Sequence, residues 1–174
     1  INMLGKDDND QGQQAKRIAV RNNLFIDVGG TWGNGRLFQL LDGVSDVSID
    51  HNTAFQTGGI LFGGDHAPHP NFVFQNNVVM LKEYGVTGSS TGEGTDTLKR
   101  YFPNAVFRRN VIIGGTAGRY PTDNFFPAAP QDAGVAIPQS NDVRLSLGQP
   151  FTGRATDGRD PGADVDAIVK ALDG

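Results

Sequence analysis

The sequence predicts an all-β fold, a right-handed parallel β-helix of about four coils and three sheets closed by a short C-terminal capping helix. Three observations predict it. Four segments of matching pattern recur through the first two thirds of the chain. Each carries an Asn at one register, at Asn23, Asn52, Asn77 and Asn110. The composition, with 24 Gly, 9 Pro and only 20% charged residues in 174, favours many short elements and tight turns over long helices.

The repeated segments are RIAVRNNLFIDVGG from Arg17, DVSIDHNTAFQTGG from Asp46, NFVFQNNVVMLKEYG from Asn71 and NAVFRRNVIIGG from Asn104. In each, alternating apolar positions lead into a polar pair ending in Asn, and an apolar triplet follows. The Asn residues are 29, 25 and 33 positions apart, spacings that suit the coils of a solenoid. A two-residue corner between strands forces one residue to positive φ, which Asn tolerates better than other non-glycine residues. Coils of a parallel sheet stack about 4.8 Å apart. The Asn side chains of successive coils can therefore bond to one another as an asparagine ladder.

A second strand set lies between these corners: INML at the start, then RLFQLLD from Arg36, GILFGGD from Gly59 and GVTGSST from Gly85. It supplies the first sheet of each coil, with the segments before and after each Asn supplying the second and third. Val20, Ile49, Phe74 and Phe107 then point inward as one file. The hydrophobic fraction of 37% is adequate for the thin core such a prism encloses. An antiparallel sandwich is disfavoured because hairpin turn pairs are scarce, Asp42-Gly43 being the main exception.

Residues 1–118 read as coils. Residues 119–174 form an irregular segment on the same domain, with a strand-like VRLSL and a terminal helix. Asp160-Pro161 offers an N-cap and first-turn proline, and Val165, Ile168, Val169 and Leu172 form an apolar stripe. Such a helix can cover an open solenoid end, whose strand edges otherwise invite aggregation.

These coil segments, with NN or HN corners, resemble bacterial secreted right-handed parallel β-helix repeat proteins, relatives in fold of the pectate lyases. The tail RLSLGQPFTGRATDGRDPGADVDAIVKAL is similar to the C-terminal end of many such proteins. The resemblance implies a secreted, extracellular or periplasmic location, a carbohydrate-rich setting and further coils upstream in the same precursor. The start INMLGKDDND has neither an initiator Met nor a signal-peptide pattern, as expected of a processed product. The resemblance brings no catalytic set, because one fold hosts many chemistries. Neither the Arg-x-x-Pro-x-x-Arg arrangement of pectate lyases nor the Asn-Thr-Asp, Asp-Asp, Gly-His-Gly and Arg-Ile-Lys set of galacturonases appears.

Composition narrows the partners. The net charge is −4 and no Lys/Arg run exceeds two residues, which argues against nucleic acid. No apolar stretch approaches the ~20 residues needed to span a bilayer. With no cysteine, disulfides and thiolate chemistry are absent.

Candidate catalytic residues come from coil alignment. Setting GILFGGD over RLFQLLD stacks Asp42 and Asp65 one coil apart, with Thr91 next in the file and His66 in the adjoining loop. Stacked carboxylates repel, so they are expected to bind a cation, raise one pKa or splay into water. Asp7, Asp8 and Asp10 of the acidic loop GKDDNDQG are candidate calcium ligands, since calcium takes oxygen donors. His69, Lys99 and Arg100 are candidate substrate contacts in loops. Trp32, Tyr84 and Tyr101 are candidate sugar-stacking aromatics, because a flat ring complements a pyranose face. The excursion TGEGTDTLKRYFPN is expected to form one wall of a groove.

The expected function is binding or processing of an acidic polysaccharide, as a polyuronate lyase or glycoside hydrolase if the protein is an enzyme. The alternative is a structural or adhesive β-helix module without catalytic activity.

Overall fold

The computed structural model describes residues 1–7, 9, 12–29, 35–135 and 150–172. Three four-stranded, all-parallel sheets form a solenoid. The first sheet joins β1 (Asn2–Leu4), β4 (Phe38–Leu41), β7 (Leu61–Gly64) and β10 (Val86–Gly88). The second joins β2 (Lys16–Arg21), β5 (Ser45–Asp50), β8 (Val73–Gln75) and β11 (Val106–Arg108). The third joins β3 (Leu24–Val28), β6 (Thr53–Gln56), β9 (Val78–Met80) and β12 (Val111–Ile113). Successive passages of the chain therefore stack strand on equivalent strand, as the repeat predicts.

The register explains the period-2 pattern. Val20, Ile49, Phe74 and Phe107 pair in one inward file of the second sheet, and the rings of Phe74 and Phe107 stack at 5.2 Å. Met3, Leu40, Gly63 and Gly88 form an inward file of the first sheet. Its two glycines leave a hollow. Aromatic side chains from elsewhere fill it, since a Cβ at Gly63 would strike the Phe102 ring and one at Gly88 the Tyr101 ring.

Those rings belong to the excursion between β10 and β11. It folds into α1 (Thr95–Tyr101), which buries Thr97, Leu98 and Tyr101. Phe102 stacks on Phe72 at 4.5 Å and on His69 at 5.1 Å. Instead of standing out as a groove wall, the end of this excursion plugs the prism, because burying two aromatic rings outweighs exposing them.

The Asn side chains hydrogen-bond in succession. Asn23 Nδ2 donates to Asn52 Oδ1, Asn52 Nδ2 to Asn77 Oδ1, Asn77 Nδ2 to Asn110 Oδ1, and Asn110 Nδ2 to Asn124 Oδ1, at 2.9–3.1 Å. Asn124, a fifth member, belongs to the C-terminal segment. The positive φ expected of these residues falls on their predecessors, Asn22, His51, Asn76 and Arg109. Two further left-handed files mark the other side of the second sheet: Asp42, Asp65 and Ser90, then Arg17, Asp46, Asn71 and Asn104.

The C-terminal segment covers one end and one side. Tyr120 stacks on Phe107 and Phe126, each at 5.9 Å, and Phe125 bridges to Val111. At the opposite end Ile18, Val20 and Phe25 are only half-buried. The outward face of the third sheet is apolar, and Phe55, Val78, Met80, Val111 and Ile113 cluster there with Ala133 and Val135. Residues 156–164 then cross the corner between the second and third sheets, back toward the first coil. Thr156 N donates to Asn76 Oδ1, Ala163 N to Thr53 Oγ1 and Asp164 N to Asn22 Oδ1. The helix α2 (Val165–Leu172) follows. Its N-cap is Asp164, whose carboxylate accepts from Ala167 N, while the expected cap, Asp160, accepts from Gly153 N. Leu172 is 77% exposed. The strand-like VRLSL lies outside the described residues.

Candidate functional site

With the third sheet covered by the C-terminal segment, the outward face of the first sheet remains open. It presents Gln39, Phe62 and Thr87 as one file and Leu41, Gly64 and Ser89 as the next. A groove of about 580 Å³ lies along its upstream edge, lined by Gly35, Arg36, Gln39, Gly59, Glu83, Tyr84 and Thr87.

Arg36 is held in place from two sides. Its guanidinium lies 3.8 Å from the Phe62 ring centroid, and its Nη1 donates to Gln39 Oε1 at 2.6 Å. Cation–π contact and a fixed hydrogen bond reduce the rotamer freedom that an exposed Arg would lose on binding an anion. Tyr84 is 53% exposed and Glu83 is also exposed. The groove thus combines an aromatic face, a cation, a carboxylate and uncharged hydrogen-bonding groups.

Asp42 and Asp65 lie at the downstream edge of this sheet, one residue beyond the paired Leu41 and Gly64. Their stacking one coil apart follows the predicted register. The third position of the file is Ser90, since Gly88 pairs with Gly63, so Thr91 is one residue out. Both aspartates adopt positive φ, 51° and 65°. That conformation favours Asp or Asn over most residues on backbone grounds alone. Asp65 and His66 are exposed and Asp42 is half-buried.

Two expected substrate contacts lie in the core. His69 is fully buried, its backbone N–H donates to Tyr101 O, and neither ring nitrogen has a hydrogen-bond partner. Burial holds its pKa down to about 4, against the partial support of the Val44 and Leu40 carbonyls and the Asp65 charge. Tyr101 is 7% exposed and its hydroxyl donates to Ser89 O. The apolar hollow at Gly63 and Gly88 draws both into the interior. Lys99 and Arg100 are exposed on α1. Trp32 lies outside the described residues, as do Asp8 and Asp10.

The carboxylate of Asp7 accepts from Asn9 N. Among the described residues, no three acidic or histidine side chains are gathered as a metal site. The described donors therefore fall short of the about six to eight oxygens calcium takes.

Two polar clusters escaped the pattern reading. Tyr120, Glu93 and Arg119 interlock: the Tyr120 hydroxyl donates to Glu93 Oε1 at 2.7 Å and Arg119 Nη1 to Glu93 Oε2 at 3.2 Å. Burial, then the Glu93 bond, push the Tyr120 pKa up, so the phenol stays protonated and its role is to tie the end segment to β10. His51 sits between Asp50, 2.9 Å away, and Asp157, 3.5 Å away, under residues 156–164. Both clusters join segments remote in sequence, which a linear pattern does not reveal.

No protein-family model, curated protein or solved structure matches the chain. Among the described residues, no helix is long and apolar enough to cross a membrane.

Proposed function

We propose that this protein binds polysaccharide across the outward face of its first sheet. The observation that carries the reading is the groove that sets the exposed Tyr84 beside a pre-positioned Arg36. An aromatic face suits the C–H face of a pyranose, and a fixed guanidinium suits a carboxylated sugar. A secreted or periplasmic setting accords with such a ligand. Titration calorimetry with oligouronates and neutral glucans tests it: carboxylated oligomers should bind, and Tyr84→Ala should weaken binding about tenfold, the loss of one stacking contact. Absence of binding to every saccharide, or indifference to Tyr84→Ala, would overturn the reading.

A second reading, processing of the bound glycan, draws on the stacking of Asp42 and Asp65. One coil spacing is about 4.8 Å, close to the carboxyl separation of about 5 Å used in retaining glycoside hydrolysis. Asp42→Asn and Asp65→Asn keep a residue that tolerates positive φ and remove only the charge. New reducing ends produced by the native protein and lost in both variants would establish hydrolysis. Ultraviolet-absorbing unsaturated products would indicate a lyase instead, and no product from any substrate would leave a binding module.

A further inference from the structure

The pairing of Phe38 with Leu61, and of Leu61 with Val86, sets Arg36, Gly59 and Tyr84 in one file two residues upstream. Hydrogen bonds from Leu37 N to Gly59 O at 2.9 Å and from Ile60 N to Tyr84 O at 3.1 Å carry the pairing to that point. Arg36 and Tyr84 are therefore two coils apart, roughly 10 Å, with a residue lacking a side chain between them. A Cβ at Gly59 would meet Tyr84 Cβ at 3.5 Å and Arg36 Cγ at 3.6 Å, which is ordinary contact. Its backbone is not left-handed. Neither strain nor collision demands a glycine here. What the glycine leaves is a notch, one coil wide, with a guanidinium on one wall and a phenol ring on the other.

Glu83 adds a second charge of opposite sign. It precedes Tyr84 and lines the same groove, and among the described residues no ion pair joins it to Arg36. Arg36 is turned instead onto Phe62 and Gln39. A uniformly anionic chain would satisfy Arg36 and be repelled by Glu83. A uniformly cationic chain would do the reverse. Only a ligand carrying both charges complements both walls.

We infer that the Gly59 notch is a single-sugar subsite for a mixed-charge glycan, with a uronate ring seated between Arg36 and Tyr84 and a free amino group of a neighbouring sugar facing Glu83. The inference rests on the glycan-binding reading and sharpens it to one class of ligand.

Calorimetry with three length-matched oligosaccharides tests it: an oligogalacturonate, a chitosan oligomer, and de-N-acetylated heparosan, which alternates uronate with free amino sugar. The mixed-charge oligomer should bind about tenfold tighter than either of the others, a gain expected of one additional favourable charge contact. Glu83→Gln, a surface change, should erase that advantage and strengthen oligogalacturonate binding. Gly59→Val should fill the notch and abolish binding of the mixed-charge oligomer with an unchanged melting temperature. If oligogalacturonate binds the native protein as tightly as the mixed-charge oligomer and Glu83→Gln changes nothing, the inference falls while glycan binding stands. If none of the three binds, the binding reading falls with it.

Discussion

The imidazole of His69 touches a phenyl ring, two carbonyl-bearing turns and no solvent. Its folded pKa of about 4 lies below the ordinary value of 6.5. Between these values the unfolded chain takes up a proton that the folded chain refuses, so acidification favours unfolding. The stability at stake is fully present above pH ~6.5 and is lost progressively toward pH ~4, to a total of about 3 kcal/mol. His69→Leu removes the titrating group and keeps an apolar side chain of similar volume. Urea denaturation should then give a native-minus-variant difference in unfolding free energy that becomes less favourable to the native protein by that amount between pH 7 and pH 4. A difference independent of pH would mean that the buried ring does not govern the acid response.

At the scale of elements, the amide series ties the four coils into one unit. Asn77 stands at its centre, where its Oδ1 accepts from Asn52 N and Nδ2 while its Nδ2 donates to Ile49 O and Asn110 Oδ1. Removing this fully buried side chain leaves several polar groups unpaired, at a cost of about 4 kcal/mol. Asn23, at the half-buried end of the series, donates to Asn52 and Arg21 and should cost only about 1 kcal/mol. Comparable losses for Asn77→Ala and Asn23→Ala in denaturant titrations would contradict a cooperative, inward-graded series.

The strands and the Asn register were legible because apolar alternation and a repeated polar residue are written locally. The remaining corner residues were not, since Arg17, Asp46, Asn71 and Asn104 share a backbone conformation but no side-chain chemistry. The site was half legible. Aligning RLFQLLD with GILFGGD already places Arg36 over Gly59 and Asp42 over Asp65. Starting the third strand at Gly85, one residue late, put Thr91 where Ser90 belongs and hid Tyr84 from the Arg36 file. In a solenoid, such a slip flips every side chain of the strand to the other face. The burial of Tyr101 and Phe102 depends on Gly63, far away in sequence, and was beyond any local pattern.

At the scale of the whole molecule, the three outward faces are treated differently. The third sheet is apolar and covered, and the second carries the polar file of Arg21, Asp50, Gln75 and Arg108. The first is left free for a ligand. This division depends on the segment 156–164, which returns across three coils and keeps the C-terminal residues against the solenoid. Asn76 is its principal anchor: Oδ1 accepts from Thr156 N, Nδ2 donates to Thr156 Oγ1 and to Asp50 Oδ1, and its carbonyl accepts from Gly162 N. Asn76 has a φ of 56°, so Asn76→Ala would mix lost bonds with backbone strain. Asn76→Gly separates them, because glycine adopts that conformation freely. Three side-chain hydrogen bonds at about 1 kcal/mol each predict a loss of roughly 3 kcal/mol. Limited proteolysis should then cut first between residues 150 and 164, while hydrogen exchange in the first sheet and saccharide binding stay unchanged. If the variant loses saccharide binding together with the strap, the open face depends on the covered one, and the division of labour among the three sheets is wrong.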